Sequence, residues 1–390
     1  MFEAVSGWVS YLLFLTISTA IFALFSLGLN LQWGLTGLIN FGLVAFMTLG
    51  AYTTVVLSFY GVPLIVAALA GAVVAALLGL LIGVATLRLR EDYLAIVTIG
   101  VSELIRLVVN NQEIPTGNGF TPGAFGLQGY PLPLADFAPS LFSKWIMIGL
   151  LTLTCGVCCW RLWAWMSRKR GVSQEREVKV KSPSLSSYNL GFRLVLGTIA
   201  TILILVVYGT GAIALFNYRS YDKAGLMLLS VVVLALVLWR LEVLARSPWG
   251  RVLKSIREDE EVPRALGKNV FWYKLQSLML GGAIAGIAGA LYAWQQTSIY
   301  PNDFDPQVTF NAWIIVILGG AGNNFGTILG AVIFTSYYEV TRFILPQIVP
   351  LDDVRLSAFR IVVIGLILIL FMIWRPQGIL GKKEELTLGK

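Results

Sequence analysis

Histidine is absent from the 390 residues, and only 13% of them are charged. The first absence removes the commonest metal ligand and the usual general base at neutral pH. The second, beside 57% hydrophobic residues, does not suit an ordinary soluble domain and marks a polytopic membrane protein. No G-x-x-x-x-G-K-[ST] phosphate loop occurs, so the chain is not expected to hydrolyse ATP itself. Cysteine is scarce, and Cys155, Cys158 and Cys159 fall in one apolar segment. A regular helix does not offer these positions disulfide geometry. They read as helix-packing residues, with metal binding or acylation as alternatives. The first ten residues carry one charge, Glu3, and lack the basic flank of a cleavable signal, so a retained transmembrane helix is expected there. No catalytic constellation, metal site or cofactor site is expected anywhere, and no nucleic-acid partner.

What the chain does contain is long apolar runs separated by unevenly charged loops. A bilayer core about 30 Å thick needs roughly 20 apolar residues per helix. Runs of that size predict spans near 11–29, 35–58, 64–87, 94–110, 141–163, 194–217, 224–244, 274–296, 327–345 and 358–374. The expected fold is therefore all-α and polytopic: a single transmembrane domain over 1–390 with about ten transmembrane helices, some of them broken or re-entrant. Most of the 29 Lys and Arg residues cluster at Arg88 and Arg90, in a basic loop over 164–192 and its flanks, in a loop over 245–273, and in the tail from Arg375. Basic loops mark the cytoplasmic side. That places the N-terminus outside, the C-terminus inside, and the loop from Asn111 to Ser140, which has no Lys or Arg, outside.

Parity needs a break within 309–345. A single crossing there would export the basic tail. A short element over 309–320, about 18 Å long at ~1.5 Å per residue, followed by a return over 327–345, keeps the tail inside. Gly319, Gly320, Gly322, Asn323 and Asn324 are thus candidates for a break on a translocation pathway, or equally for a tight cytoplasmic turn. Irregular backbone at membrane depth survives only where protein buries it or a cavity receives it. The segment LNLQWGLTGLINFG, with Asn30, Gln32 and Asn40, reads as a second interrupted helix. Two broken segments, one in each half of the chain, suggest transport. Gln295 and Gln296 add neutral polarity near a helix end. Gly71, Ala75, Gly79 and Gly83, then Gly282 and Gly286, then Gly322, Gly326 and Gly330, form stripes suited to close helix packing. Glu103 and Arg106 are helical neighbours inside a span. Intramembrane charges face a partner or a cavity, so the pair either braces the bundle or meets substrate. The cluster TGNGFTPGAFG lacks a Lys and reads as turns.

One charged segment stands out between apolar spans: SPWGRVLKSIREDEEVPRALG, from Ser247 to Gly267. Ser247 and Pro248 read as N-cap and first helical residue. Val252, Leu253 and Ile256 give an apolar ridge, Pro263 starts or kinks a second element, and Gly267 is suited to end it. A short cytoplasmic helical hairpin is predicted, to be read as a docking element or as a solvated loop.

The spacing from Glu261 to Gly267 resembles the E-A-A-x-x-x-G loop of ATP-binding cassette importer permeases, although Val262 and Pro263 replace its two alanines. The stretches LNLQWGLTGLINFGLVAFMTLGAY, LRLREDYLAIVTIGVSELIRLVVNN, GRVLKSIREDEEVPRALGKNVFWYKLQSLMLGGAIAGIAGALYA and ILGGAGNNFGTILGA resemble the branched-chain amino acid permease family, LivM-type subunit, including cyanobacterial neutral amino acid permeases. The resemblance covers nearly the whole chain except Trp163 to Tyr188, a possible insertion. It implies a heteromeric importer in a bacterial plasma membrane: this subunit, a LivH-type permease, two cytoplasmic ATPases and an external solute-binding protein. On that resemblance Arg251, Arg257, Glu258, Asp259, Glu261 and Gly267 form the ATPase-coupling element, while the helix breaks and intramembrane polar groups, read by themselves, make Asn40, Glu103, Arg106, Gly319, Gly320, Gly322 and Asn323 the candidates for the translocation pathway. Leu43 stands where many relatives of that family carry a polar residue, a departure from the resemblance at this position. The expected function is import of neutral or branched-chain amino acids, driven by separate ATPase subunits. A urea importer of the same family and a stand-alone ion-coupled transporter with Glu103 as proton site are the alternatives.

Overall fold

The computed structural model describes residues 2–87, 91–117, 119–135, 139–167, 185–348 and 352–381. Helix dominates. Among the described residues, nine helices are long and apolar enough to cross a membrane, and two apolar helices are shorter. This is the expected all-α, polytopic class. Contacts group the chain into two compact units, Met1–Thr16 with Asp136–Ala235 and Ile17–Ala135 with Leu236–Lys390.

In the first unit α5 (Leu141–Ser167) packs on α6 (Leu185–Phe216). The Lys144 ammonium donates to the Phe216 carbonyl at 2.7 Å, which fixes the pair as antiparallel. Both helices run further than the sequence suggests, into the stretch read as a basic loop over 164–192. The middle of that loop and of the possible insertion lies outside the described residues.

The second unit is built around α2 (Leu43–Phe59), α3 (Leu64–Thr86) and α10 (Val270–Gln296), with α4 (Glu91–Asn111) alongside. The small-residue stripes explain why these helices meet. A Cβ on Gly71 would lie 2.6 Å from the Gly50 carbonyl oxygen, and one on Gly286 would lie 2.8 Å from the Ala75 Cβ. A Cβ on Gly79 would lie 3.0 Å from the Met279 Cα. Backbones approach this closely only where side chains are missing. Two minimal strand pairs cap one end: β1 (Glu113–Thr116) with β2 (Gly119–Pro122), and β3 (Leu127–Gln128) with β4 (Ser298–Ile299), both antiparallel. The turns read in TGNGFTPGAFG therefore include one side of a short hairpin.

Two helices are interrupted. α1 (Phe2–Leu29) continues into a π-helical turn, Asn30–Leu35, and α2 begins only at Leu43. The span expected from residue 35 is thus irregular as far as Gly42. A Cβ at Gly42 would overlap the Thr98 carbonyl, so the chain passes α4 there without a side chain. Further on, α11 (Pro306–Gly319) and α12 (Asn324–Ile348) form a hairpin around residues 320–323, and α13 (Asp353–Trp374) follows. The break predicted within 309–345 is present, and it takes the form of a short turn in which Gly320 and Gly322 both have positive φ, +108° and +80°. Only glycine adopts such angles without strain.

Candidate functional site

At one end of the second unit the charged segment forms α8 (Pro248–Glu258) and α9 (Glu261–Ala265). The Ser247 hydroxyl accepts from the Gly250 N–H, and Pro248 opens the helix. Gly250, Leu253 and Ile256 are buried, which seats α8 on the bundle. Trp249 Nε1 donates to Gln276 Oε1 at 2.7 Å, and the Lys274 ammonium, 6% exposed, donates to Glu260 Oε2 at 2.6 Å. Glu260 also accepts from Arg264 at 2.8 Å. Sequence reasoning did not single out Lys274 and Glu260, although a lysine at the fifth position of an apolar helix is a visible signal. These anchors leave the outer face of the hairpin open. Arg251, Glu258, Asp259, Glu261 and Gly267 are exposed, together with the apolar Val262 and Leu266. Gly267 sits at φ +74°, the left-handed geometry that ends α9.

Arg257 behaves differently from its neighbours. Its guanidinium Nη1 turns toward the bundle and donates to the Gly34 carbonyl at 2.6 Å. Gly34 belongs to the π-helical turn, whose residues are buried apart from Trp33. The interrupted segment beyond it is held by side chains. Asn40 Nδ2 donates to Gln32 Oε1 at 2.8 Å, and Asn40 Oδ1 accepts from the Gly42 N–H at 2.8 Å. Gln32 Nε2 donates to the Leu278 carbonyl, Trp313 Nε1 to the Asn40 carbonyl, and the Phe41 N–H to Thr98 Oγ1. Buried backbone freed from a helix needs partners of this kind. Asn40 is thus fully buried and serves as an internal brace of the break.

The second break meets the first. Asn30 Oδ1 accepts from the Gly322 N–H at 2.8 Å, and Asn30 Nδ2 donates to Asn324 Oδ1 at 3.0 Å. Asn324 Nδ2 reaches Glu242 Oε2 at 3.3 Å. Gly319 lies so close to Gly326 that a Cβ on either would overlap the other's carbonyl, and Gly320 lies against the chain following α13. There the Ile379 and Leu380 N–H groups donate to the Leu318 and Gly319 carbonyls, and Asn323 Nδ2 donates to the Leu380 carbonyl. Gly319, Gly320, Gly322 and Asn323 therefore come together with Arg257 at the end of the unit that carries α8.

Glu103 and Arg106 lie elsewhere, toward the far end of α4. Arg106 Nε and Nη2 each donate to one Glu103 carboxylate oxygen, at 3.0 and 2.5 Å, while Nη1 donates to Asn302 Oδ1 at 3.0 Å. The pair ties α4 to the 3-10 turn Pro301–Phe304 and is partly exposed. Next to it Asp303 accepts from the Tyr300 N–H at 2.9 Å, and burial raises its carboxyl above the usual range. Burial likewise pushes up the Tyr130 hydroxyl, which donates to the Ala293 carbonyl at 2.5 Å. Sequence reasoning also missed Glu339 on α12 and Arg360 on α13, 6% and 9% exposed, which face one another's helices within apolar runs. Cys155 is buried, Cys158 and Cys159 half-buried, and all three are free thiols. Among the described residues no group of three acidic or cysteine side chains is placed to hold a metal.

Comparison with known proteins bears on this geometry. Residues 11–372 match the family described as branched-chain amino acid transport system, permease component. The chain is 30% identical over 364 residues, 93% of its length and 68% of the relative's, to the high-affinity branched-chain amino acid transport system permease protein LivM of Salmonella typhimurium. It is 29% identical over the same shares to the LivM protein of Escherichia coli. A probable LivM permease of Methanocaldococcus jannaschii is 30% identical over 177 residues, 44% of the chain and half of the relative. No solved structure matches.

Proposed function

The chain belongs to the branched-chain amino acid transport system permease family, and from that premise we propose that it imports neutral or branched-chain amino acids as one subunit of a heteromeric ATP-binding cassette transporter. It is a multi-span membrane permease subunit of an amino acid importer. ATP is hydrolysed on two separate cytoplasmic subunits, a LivH-type permease completes the pore, and an external solute-binding protein delivers substrate. The N-terminus lies outside and the C-terminus inside the bacterial plasma membrane, which puts α8 and α9 in the cytoplasm, as the basic loops require.

The observation that carries the reading is the contrast within Ser247–Gly267. Its inner face is fixed by a cap, a buried apolar ridge and the Lys274–Glu260 ion pair, while its outer face offers mixed charge around exposed Val262 and Leu266. A solvated loop needs no such anchoring, whereas an element that transmits force does. Closure of the ATPase pair would push on this face and rock the bundle, exposing the path to either side in turn. Selectivity rests chiefly with the external binding protein, so the permease path need not hold substrate tightly.

The test is uptake in proteoliposomes containing the chain with its neighbouring permease, ATPase and binding-protein genes' products. Labelled leucine or another neutral amino acid should accumulate only with ATP inside the ATPase compartment. Accumulation driven by an ion gradient without the ATPases, or uptake of urea in place of amino acids, would overturn the proposal.

A further inference from the structure

Arg257 occupies the last turn of α8, yet its head points inward. Three glycines surround it. A Cβ on Gly322 would lie 2.8 Å from Arg257 Nη1 and 2.8 Å from the Gly34 carbonyl oxygen, and one on Gly37 would lie 3.5 Å from the Arg257 Cα. A Cβ on Gly34 would lie 2.5 Å from the Gly322 nitrogen. The α8 backbone, the π-helical turn and the α11–α12 turn thus converge at one point, where neither Gly34 nor Gly322 has room for a side chain and Gly37 packs on Arg257 in ordinary van der Waals contact. Gly37 and Gly322 also adopt positive φ, +84° and +80°.

The contacts at this point form a chain. Arg257 Nη1 donates to Gly34. Asn30, one helical turn before Gly34, holds Gly322 through its oxygen and Asn324 through its nitrogen. The carbonyl at a helix terminus is an orphan acceptor, and a cationic donor there makes a stronger hydrogen bond than a neutral one. An arginine reaches such a carbonyl with a planar fork, which a lysine's single ammonium does not reproduce.

We propose that Arg257 is the positioning residue that links the docking hairpin to both interrupted helices, and that it acts inside the permease rather than as a contact for the ATPase. It rests on the reading of α8–α9 as the ATPase-docking element. A displacement of α8 is passed by Arg257 to the Gly34 carbonyl, and by Asn30 from the first break to the second. The two breaks then move together, which a two-sided path requires. The exposed Glu258, Asp259 and Glu261 keep the docking role, and Arg257 carries the movement inward.

The experiment uses the reconstituted complete complex and measures three quantities: ATPase co-purification, ATP hydrolysis, and amino acid taken up per ATP. Arg257→Ala should retain the ATPase subunits at wild-type stoichiometry and continue to hydrolyse ATP, with uptake per ATP falling at least tenfold. Arg257→Lys, which keeps the charge and stem, should recover part of the coupling. Unchanged uptake per ATP in Arg257→Ala, or loss of the ATPase subunits from it, overturns the proposal. If the wild-type chain retains no ATPase, the docking reading fails instead. Should Arg257→Ala fail to insert, hydrogen exchange on the wild-type complex decides. On trapping the ATPase closed, protection should change in 250–258, 30–42 and 320–323 together, and a change confined to 250–258 would contradict the link.

Discussion

Helices α5 and α10 are both 27 residues long and apolar enough to span a bilayer, yet they take opposite roles. In its most apolar stretch α10 is 72% buried, whereas α5 is 17% buried and shows Phe142, Trp145, Trp160 and Trp163 to its surroundings. Hydrophobicity does not separate them, because lipid is as apolar as a protein core. Small residues do. α10 carries Gly281, Gly282, Gly286 and Gly289 among alanines, and at each of these four positions a neighbouring group sits where a Cβ would be. On α5, Gly149 and Gly156 face open space. A glycine in a membrane helix thus marks the core only when another backbone approaches it.

The comparison can be broken by substitution. Gly289→Leu should have the largest effect, because a side chain there overlaps the Met47 carbonyl and the neighbour is backbone, which cannot rotate away. Overpacking of this sort costs about 1–3 kcal/mol and often more. The monodisperse fraction after detergent extraction should fall severalfold, and an unchanged elution profile would contradict the packing account. A polar substitution at the rim tests the middle of the range. Glu103→Gln weakens a partly exposed ion pair worth about 0–1 kcal/mol, so thermal stability should shift by only a few degrees, and uptake should keep its full nucleotide dependence. Loss of that dependence would restore Glu103 as a proton site. Gly149→Leu should do least: the position is open, and leucine favours helix by up to about 1 kcal/mol over glycine. A clear loss of folded protein there would show that α5 has a packed face after all.

Local features were legible in the sequence for local reasons. Ser247 and Pro248 announced the start of α8 because a cap is set by adjacent residues, and Gly267 announced the end of α9 for the same reason. The break before α12 followed from charge parity and a glycine cluster. The interruption within LNLQWGLTGLINFG was legible from its glycine and amide residues, but α2 starts eight residues beyond the expected position 35, because Thr98 and Trp313 satisfy the irregular backbone between. The junction at Arg257 was hidden for a further reason. Asn30 and Gly322 are 292 residues apart, and a basic residue in a charged loop gives no sign that its head turns inward. The buried Lys274, Glu339 and Arg360 were visible as charges in apolar runs, but the anchoring role of Lys274 depends on Glu260, fourteen residues away, facing it.

The central claim is that the outer face of α8 and α9 is where separate ATPase subunits take hold. The most direct measurement is co-purification of those subunits with a chain carrying Glu258→Lys and Glu261→Lys, both exposed and both free to change without opening the core. The account predicts that the variant inserts and extracts as wild type, loses most of the bound ATPase, and takes up no amino acid above background. ATPase retained in wild-type amount, with uptake intact, would contradict it.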